Sequence, residues 1–413
     1  MTSGRSNFLL LDSLLLVAVA AQCGRPPKLG EPLQGLTPEE LDRFERGRVV
    51  FERVFTPAEG LGPLFNADAC AECHEDPLVG GTGDEIELHA TRFETTLQSV
   101  LSANDPGGLA RAAAPSEDLA PACPICDLLL DQGGPVYQLQ VTEALRKALG
   151  IDSEPVPAEA STARRTIPDL FGFGLLDAVP DSTLLALADP SDADGDGISG
   201  RVNHFADGRI GRFGRKALVP ALDEFNAGAF QIEQGVTNFA APDEGTVGGL
   251  PIPPGVDPLP EPELNEENVR LASDFVRFLA PPHPLVMGNE ARRGQEIFER
   301  IDCAACHVPK LRTGPSDVDA LANRDVHAYT DLLLHDMGPD LADICFGDAS
   351  PSEFRTEPLM GLRLSTVFLH DGRAKSIEEA IRLHGGEAAA SRDAFLALAP
   401  RQRRALLAFL SGL

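Results

Sequence analysis

Two short stretches of the chain have the residue types and spacing to attach a metal cofactor covalently. Residues 70–74 read Cys-Ala-Glu-Cys-His, and residues 303–307 read Cys-Ala-Ala-Cys-His. In this pattern two thiols on one helical turn form thioethers with one porphyrin, and the following imidazole binds its iron. A redox dithiol, half a zinc site or a small disulfide needs no His after the second Cys. The pattern therefore predicts two covalently bound haem c groups, held by Cys70, Cys73, His74, Cys303, Cys306 and His307.

The composition excludes some classes of partner. The chain has 413 residues, enough for two or three domains, and its 39 glycines and 34 prolines indicate many loops and turns. Its 35 basic and 63 acidic residues give a formal net charge of −28. Such a charge repels nucleic acid and attracts a cationic electron donor. We expect a small donor protein, a cytochrome or a cupredoxin, or a quinol-linked donor, and no nucleic acid.

The N-terminus has the features of an export signal. An interrupted apolar run over residues 8–21 is too short for a confident membrane span and ends in small residues. We predict a signal or anchor segment over 1–22 and a linker over 23–36. Cleavage at the end of the run would release a protein into the periplasm, and Cys23 stands where a lipid anchor would be attached.

Four cysteines remain after haem attachment: Cys23, Cys123, Cys126 and Cys345. Haem c assembly and stable disulfides both belong to compartments outside the bacterial cytoplasm. Cys123 and Cys126 are separated by only two residues, so we expect a local disulfide between them rather than a catalytic dithiol. The pairing of Cys345 stays open.

Each haem motif follows a helix with the same signature. Residues 37–40, Thr-Pro-Glu-Glu, have the form of a capping box, and the helix that they start carries Gly47 and Phe51 one turn apart. A second helix, directly before the second motif, carries Gly294 and Phe298 in the same arrangement. A small residue followed by an aromatic residue one turn later lets another helix pack closely.

Two amphipathic helices are candidates for these packing partners. They are predicted over residues 265–280, where two prolines follow, and over residues 401–413 at the end of the chain. The order of helix, haem motif and closing helix then occurs twice. We predict a mainly α fold of two cytochrome c-like domains, 37–282 and 286–413, with a large loop-rich insertion in the first.

An acidic loop in that insertion has the pattern of a calcium site. Residues 192–203 read Asp-Ala-Asp-Gly-Asp-Gly-Ile-Ser-Gly-Arg-Val-Asn, with acidic residues at loop positions one, three and five. A Gly at position six allows the sharp turn, and position seven offers a backbone carbonyl. An Asp-Gly-rich turn without an ion is the alternative. We predict Ca²⁺ with the ligands Asp192, Asp194, Asp196, Ile198 and Asn203.

Further motifs extend along most of the chain. They are GLGPLFN (60–66), FGFGLLDAVP (171–180), GRFGRKA (211–217), CHVPK (306–310), DLLLHDMG (331–338), FLHDGRA (368–374) and HGGE (384–387). With these motifs the chain resembles the bacterial di-haem oxidoreductases described as peroxidases or thiol oxidoreductases. That family is distantly related to the di-haem cytochrome c peroxidases and MauG. Relatives commonly carry Trp where this chain has Arg215 and Met360, and this chain contains no Trp.

The resemblance implies a division of roles between the two haems. Two strong protein ligands suit an iron to electron transfer, whereas an open or displaceable sixth position lets it bind peroxide. In di-haem peroxidases the C-terminal haem has a Met ligand and the N-terminal haem is peroxidatic. Met337 and Met360 are the candidates for the sixth ligand of the second haem, and His89 for the first. His335 and His370 are candidates for hydrogen bonds to a haem propionate.

We therefore expect an exported di-haem c-type oxidoreductase with peroxidase-like chemistry. Electrons would pass from the C-terminal haem to the N-terminal, catalytic haem at His74. Two other hypotheses remain open: a di-haem cytochrome that only transfers electrons, and an oxidase of a thiol or another sulfur substrate. A peroxidase also needs a group that protonates the leaving oxygen, and the sequence does not identify it.

Overall fold

The computed structural model describes residues 25–94 and 125–413. The predicted signal segment, Cys23 and Cys123 lie outside these residues. The structure is 33% helical and 14% strand, so the expectation of a mainly α fold is not confirmed. No helix in the described ranges is long and apolar enough to cross a membrane.

The described helices and strands are short and are separated by many loops. The α-helices are α1 (Pro38–Phe51), α2 (Cys70–Cys73), α3 (Glu143–Leu149), α4 (Phe173–Asp177), α5 (Asp181–Leu187), α6 (Leu222–Gln234), α7 (Glu266–Phe278), α8 (Asn289–Arg300), α9 (Ile377–Leu383), α10 (Ala389–Ala397) and α11 (Pro400–Leu410). The strands are β1 (Leu64–Phe65), β2 (Ile86–Glu94), β3 (Ile125–Asp127), β4 (Val136–Tyr137), β5 (Gln140–Val141), β6 (Ser161–Thr166), β7 (Thr246–Val247), β8 (Leu250–Pro251), β9 (Leu311–Arg312), β10 (Asp325–Val326), β11 (Leu334–Asp336) and β12 (Glu353–Arg355).

Helix α1 begins and packs as its sequence predicts. The Thr37 hydroxyl accepts a hydrogen bond from the Glu40 backbone N–H (3.2 Å), and the Glu40 carboxylate accepts one from the Thr37 N–H (2.6 Å). α1 then packs on α7 so closely that a Cβ on Gly47 would lie 2.0 Å from the Leu271 carbonyl oxygen. Only glycine allows this approach. The predicted helix over 265–280 is therefore the partner of α1.

Helices α8 and α11 repeat this arrangement before the second haem motif. A Cβ on Gly294 would lie 2.0 Å from the Ala405 carbonyl oxygen. The Phe298 and Phe409 ring centroids are 5.5 Å apart, in an edge-to-face contact. Both haem motifs thus follow a helix that is held in backbone contact by a later helix.

A small antiparallel sheet lies in the insertion of the first predicted domain. β2 pairs with β3, β4 and β6, and the register places His89 opposite Val136 and Ala163. Side chains alternate between the two faces of a strand, so Glu87 and His89 share one face of β2. This sheet brings Glu87 to the first haem motif.

The cysteine pairing differs from the expected local disulfide. Cys126 forms a disulfide with Cys345, 219 residues away, rather than with Cys123. The cause is tertiary: β3 pairs with β2 so that Cys126 lies opposite Phe93, and the Cys345 sulfur lies 3.4 Å from the Thr91 hydroxyl. The disulfide therefore links the insertion sheet to the segment that precedes β12.

The main hydrophobic core crosses the predicted domain boundary. Its largest cluster of buried residues includes Phe44 and Phe275 from the first domain and Leu311 and Leu333 from the second. A separate cluster around Phe298 belongs to the second domain alone. Because the two halves share a core, the structure does not separate them at residues 282–286. The division into two domains therefore stays a prediction.

Candidate functional site

The first haem motif forms a single helical turn beside a small cavity. α2 contains the two cysteines, and His74 directly follows it. The His74 Nδ1 lies 3.0 Å from the Gly81 carbonyl oxygen, so Nδ1–H donates to it and Nε2 is left for a metal. Cys70, Cys73 and His74 line a cavity of about 70 Å³, whose opposite walls include residues of β2 and α6.

Two carboxyl groups line this first cavity, and their surroundings push their pKa values apart. Burial raises the pKa of Glu233 to about 8, and the charge of Glu87 adds to this effect. Burial would also raise the pKa of Glu87, but the hydrogen bond with His89 and the charges of His89 and Arg165 hold it below its ordinary value. At neutral pH the cavity therefore holds one protonated and one ionised carboxyl group.

Neighbouring side chains orient the α6 end of the first cavity. The Glu233 Oε2 accepts a hydrogen bond from the Asn66 Nδ2 at 2.8 Å. The Gln234 Nε2 lies 3.1 Å from the Cys70 sulfur. Sequence reasoning missed Glu87 and Glu233, because nothing in their local sequence distinguishes them from the other acidic residues of this chain.

His89, the predicted sixth ligand of the first haem, is placed differently. Its Nε2 lies 2.9 Å from the Glu87 Oε2, and its Nδ1 is buried without a hydrogen-bond partner. It is absent from the described residues that line the cavity around His74. In this arrangement the His89 ring is hydrogen-bonded to the Glu87 carboxylate and fixes its position.

The second haem motif lies beside a larger cavity. Residues Cys303–Ala305 form a 3₁₀ turn, and His307 follows Cys306. The His307 Nδ1 lies 3.0 Å from the Tyr329 carbonyl oxygen, which repeats the arrangement at His74. The two cysteines and His307 line a cavity of about 270 Å³.

His335 lines the second cavity as a buried, charged group. Its Nε2 lies 2.8 Å from the Asp331 carboxylate and its Nδ1 lies 2.8 Å from the Glu387 carboxylate. Burial alone would lower the pKa of His335, but these hydrogen bonds raise it well above its ordinary value. Because both ring nitrogens are occupied, His335 is not an iron ligand in this arrangement.

Both predicted methionines line the second cavity, together with a histidine that sequence reasoning missed. Met360 is 9% exposed, and its Sδ would lie 3.2 Å from a Cβ on Gly172. Met337 is partly exposed. His384 lines the same cavity, and burial together with the nearby His384 ring lowers the pKa of His307 to about 4. The short HGGE motif contained His384, but nothing in it indicated a ligand.

Both sites fit a covalently attached haem. The four motif cysteines carry no disulfide. At each site two thiols and one imidazole with a free Nε2 face the same cavity. Cys70, Cys73 and His74 would hold one haem, and Cys303, Cys306 and His307 the other.

Comparison with known proteins assigns the family. A model described as "Di-haem oxidoreductase, putative peroxidase" matches residues 150–413. The chain belongs to this family. A structure of hydrazine synthase from Kuenenia stuttgartiensis is 13% identical over 100% of both chains, with a TM-score of 0.40. A MauG-like protein associated with microbial copper homeostasis is 14% identical over 94% of both chains, with a TM-score of 0.38. A comparison with curated proteins finds no match.

In this di-haem oxidoreductase the two cavities meet at Ile167, which lines both of them. Arg215, which lines the second cavity, lies beside this contact. It donates a hydrogen bond to the Thr166 carbonyl oxygen (2.9 Å) and forms an ion pair with Glu357 (2.9 Å). The contact between the cavities is thus an aliphatic side chain flanked by an ion pair.

The acidic loop of the oxidoreductase gathers part of the predicted calcium-ligand set. Three carboxylates have oxygen atoms within 4.8 Å of one another: Asp192, Asp194 and Asp196. The Ile198 backbone N–H donates to the Asp196 carboxylate at 2.8 Å, which folds the loop back on itself. Asn203 does not join them, because its buried amide donates to the Lys216 carbonyl oxygen (2.7 Å) and accepts from the Asp348 N–H (2.9 Å). Of the predicted side-chain ligands, only the three aspartates lie together.

A second carboxylate group, which sequence reasoning also missed, lies on the loops before α7. Its four members have oxygen atoms within 4.8 Å of one another: Glu244, Asp257, Glu261 and Glu263. One carboxylate oxygen each of Glu244, Asp257 and Glu263 is buried without a hydrogen-bond partner. Burial and the neighbouring Asp257 carboxyl group raise the pKa of Glu244 to about 9. No spacing motif connects these residues, so only the folded loops bring them together.

Proposed function

We propose that this protein is an exported di-haem c-type oxidoreductase with peroxidase-like activity. Electrons would enter at the haem site of His307, and the reaction would take place at the site of His74. The observation that carries this proposal is the composition of the first cavity. In the described part of the chain, Glu87, Glu233 and Gln234 line it opposite the motif, and no methionine or second histidine does.

The first cavity offers the proton chemistry that peroxide reduction requires. When bound there, the haem would supply an iron that can bind peroxide and accept electrons. Glu233, protonated at neutral pH, can donate a proton to the leaving oxygen, and Asn66 holds its carboxyl group. Glu87, ionised and held by His89, can accept a proton from the incoming substrate. The pair thus divides acid and base roles between two carboxyl groups.

The experiment that tests this proposal compares the two haems in purified holoprotein. We expect electron paramagnetic resonance to show a high-spin ferric haem, in the resting or the half-reduced protein, and peroxide consumption when an electron donor is supplied. Two low-spin haems at every redox level, with no peroxide consumption, would contradict the proposal. That outcome would instead support an electron-transfer cytochrome without catalytic activity.

The proposed location and electron donor follow from the charge and from the haem motifs. Haem c is attached outside the bacterial cytoplasm, so we propose a periplasmic protein, either free or anchored through Cys23. A cationic cytochrome or cupredoxin is the proposed donor, because the chain carries a net charge of −28. Its rate of electron delivery should fall as ionic strength rises, because salt screens the attraction. A rate independent of salt would favour a quinol-linked donor.

We also propose that the acidic loop binds Ca²⁺ through its three aspartates. Carboxylate oxygens are the ligands that calcium prefers, and the loop backbone already turns around them. The loop reaches the second haem site through Ser199, whose N–H and hydroxyl donate to Glu387 at 3.1 Å and 2.6 Å. A bound ion would therefore hold the Glu387 carboxylate that orients His335.

A further inference from the structure

The hydrogen bonds of the histidine rings divide the nine histidines of this chain into two groups. His74 and His307 donate from Nδ1 to a backbone carbonyl oxygen at 3.0 Å, which leaves Nε2 free for iron. His384 has the same arrangement, with its Nδ1 2.7 Å from the Ala380 carbonyl oxygen. Such a bond sets both the tautomer and the orientation of a metal-ligating ring. No other histidine of the chain, all nine of which lie in the described ranges, has this bond.

The three buried histidines, His89, His335 and His370, use their rings in different ways. The His335 nitrogens face two carboxylates, and the His89 Nε2 faces Glu87. His370 lines the second cavity, but its ring stacks on Phe354, with 4.2 Å between centroids, and its Nε2 lies 3.9 Å from Asp343. None of these rings combines a carbonyl-bound Nδ1 with a free Nε2.

We propose that His384 is the sixth ligand of the haem iron bound by His307. Both rings line the same cavity, and each donates its Nδ1–H to a backbone carbonyl oxygen. His384 follows α9 directly, so the last turn of that helix supplies the Ala380 carbonyl that holds the ring. Iron binding by both imidazoles would give this haem two histidine ligands.

The two methionines are weaker ligands in this geometry. Met360 lies beside Gly172, where an added Cβ would be 3.2 Å from its sulfur, in the core that both predicted domains share. Met337 is partly exposed, whereas the His384 ring is held by its hydrogen bond. A ligand that is already oriented loses less conformational entropy when it binds. The structure therefore favours an imidazole over a thioether at this position.

Two histidine ligands would change the electron-entry haem in a measurable way. A methionine ligand raises the reduction potential of a c-type haem, because the thioether favours ferrous iron. With His384 in that position the second haem would have a lower potential than a histidine–methionine haem in the same pocket. Electrons would then pass to the first site with a larger driving force.

The test uses ferric holoprotein and near-infrared magnetic circular dichroism, in which the charge-transfer band identifies the axial pair. We expect the wild-type spectrum to show one bis-histidine haem. His384→Met should convert that signal to a histidine–methionine signal and raise the midpoint potential of the same haem. His384→Ala should produce a high-spin haem, and added imidazole should restore the low-spin spectrum. A structural role alone would not give this rescue.

Matched variants give results that would overturn the proposal. Met337→Leu, Met360→Leu and His370→Gln should leave the axial-ligand signal unchanged. A thioether signal in the wild type that Met337→Leu or Met360→Leu abolishes would assign the ligand to that methionine. An unchanged spectrum in His384→Ala would also overturn it.

This inference rests on the proposed di-haem function, and haem content separates the two. Two covalent haems in a pyridine haemochrome assay, with no effect of His384→Ala on their spectra, would reject the ligand and leave the di-haem assignment standing. Fewer than two haems in the wild-type protein would reject the di-haem assignment itself.

Discussion

The two haem sites have the same arrangement of motif cysteines and histidine. They differ in the side chains that line the opposite wall of each cavity. At both sites the histidine donates from Nδ1 to a backbone carbonyl at 3.0 Å, and two unpaired cysteines precede it. The first cavity, of about 70 Å³, is lined by the carboxyl groups of Glu87 and Glu233. The second, of about 270 Å³, is lined by carboxyl groups too, Asp169 and Glu357, but in addition by His384 and two methionines. The same five-residue pattern therefore stands beside two different sets of side chains, and the proposed division between proton chemistry and electron transfer rests on that difference.

The difference arises from the segments that form the opposite walls. β2 and α6 bring acidic residues to the first site, and the segment that follows α9 brings an imidazole to the second. An ionisable carboxyl group can move a proton but does not hold haem iron strongly, whereas an imidazole does. The following predictions test whether this contrast controls function, from the largest expected effect to the smallest.

Replacing the acid of the first cavity should have the largest effect. We expect Glu233→Gln to lower peroxide turnover by about 10²-fold or more, because the variant keeps the shape but loses the transferable proton. Steady-state turnover with a fixed donor is the measurement, with haem content confirmed in parallel. Glu224→Gln, on the exposed side of the same helix, is the matched control and should retain turnover. Normal turnover in Glu233→Gln would show that Glu233 is not the proton donor.

The pH dependence sharpens the same contrast. The pKa of Glu233 is raised to about 8, so the proton donor is present below that pH and is lost above it. Turnover in the wild type should therefore decline as pH rises through about 8, and Glu233→Gln should lack this decline. The free energy of unfolding should also fall as the pH rises towards about 8. The reason is that the Glu233 carboxyl group ionises at a lower pH in the unfolded chain than in the buried site. A wild-type rate that rises through this range would contradict the assignment.

The disulfide between Cys126 and Cys345 should stabilise the arrangement of the two sites. It links the sheet that carries Glu87 to a segment 219 residues later. We expect the double variant Cys126→Ala, Cys345→Ala to lower the free energy of unfolding by about 2–5 kcal/mol. Denaturant titration followed by far-ultraviolet circular dichroism measures this change. Chemical reduction of the wild type should reproduce it, and an unchanged midpoint in both experiments would show that other contacts hold the sheet.

Releasing Glu87 should produce a smaller effect, confined to the first cavity. In His89→Leu the hydrogen bond that opposes the burial effect is lost, so the pKa of Glu87 should rise. The acid limb of the pH–rate profile should therefore move to higher pH. For each unit by which the pKa of Glu87 rises, half-maximal turnover should be reached at an about tenfold lower proton concentration. His89→Gln keeps a donor and should restore part of the profile. A change in the spectrum of the haem at the Cys303–His307 motif in His89→Leu would mean that the two sites are not independent.

Calcium should have the smallest effect. At a concentration about ten times the dissociation constant, Ca²⁺ should stabilise the wild type by about 1.4 kcal/mol, seen as a rise in Tm. Asp194→Ala should remove the response, because it deletes one of three clustered carboxylates. Glu244→Gln is the comparison variant. Loss of the calcium response in that variant alone would place the ion at the second carboxylate group.

The sequence by itself determined the local features of this protein. These features can be recognised from residue types only a few positions apart in the chain. They are the two haem motifs, the capping box at Thr37 and the close-packing glycines of α1 and α8. Such features depend on short-range sterics and hydrogen bonding, so they can be predicted without the fold. The closing helices were also predictable, because an amphipathic period shows which helices need a packing partner.

Only the tertiary structure decided which residues line the cavity beside each haem motif. Glu233 reaches the first cavity because α6 packs there, and His384 reaches the second because the chain turns after α9. The Cys126–Cys345 disulfide and the displacement of Asn203 from the acidic loop have the same origin. These contacts join residues far apart in the chain, and burial then sets the pKa of each group. The spacing of residues along the chain gives neither the distances between these side chains nor their burial. These contacts and pKa shifts therefore could not be predicted from the sequence.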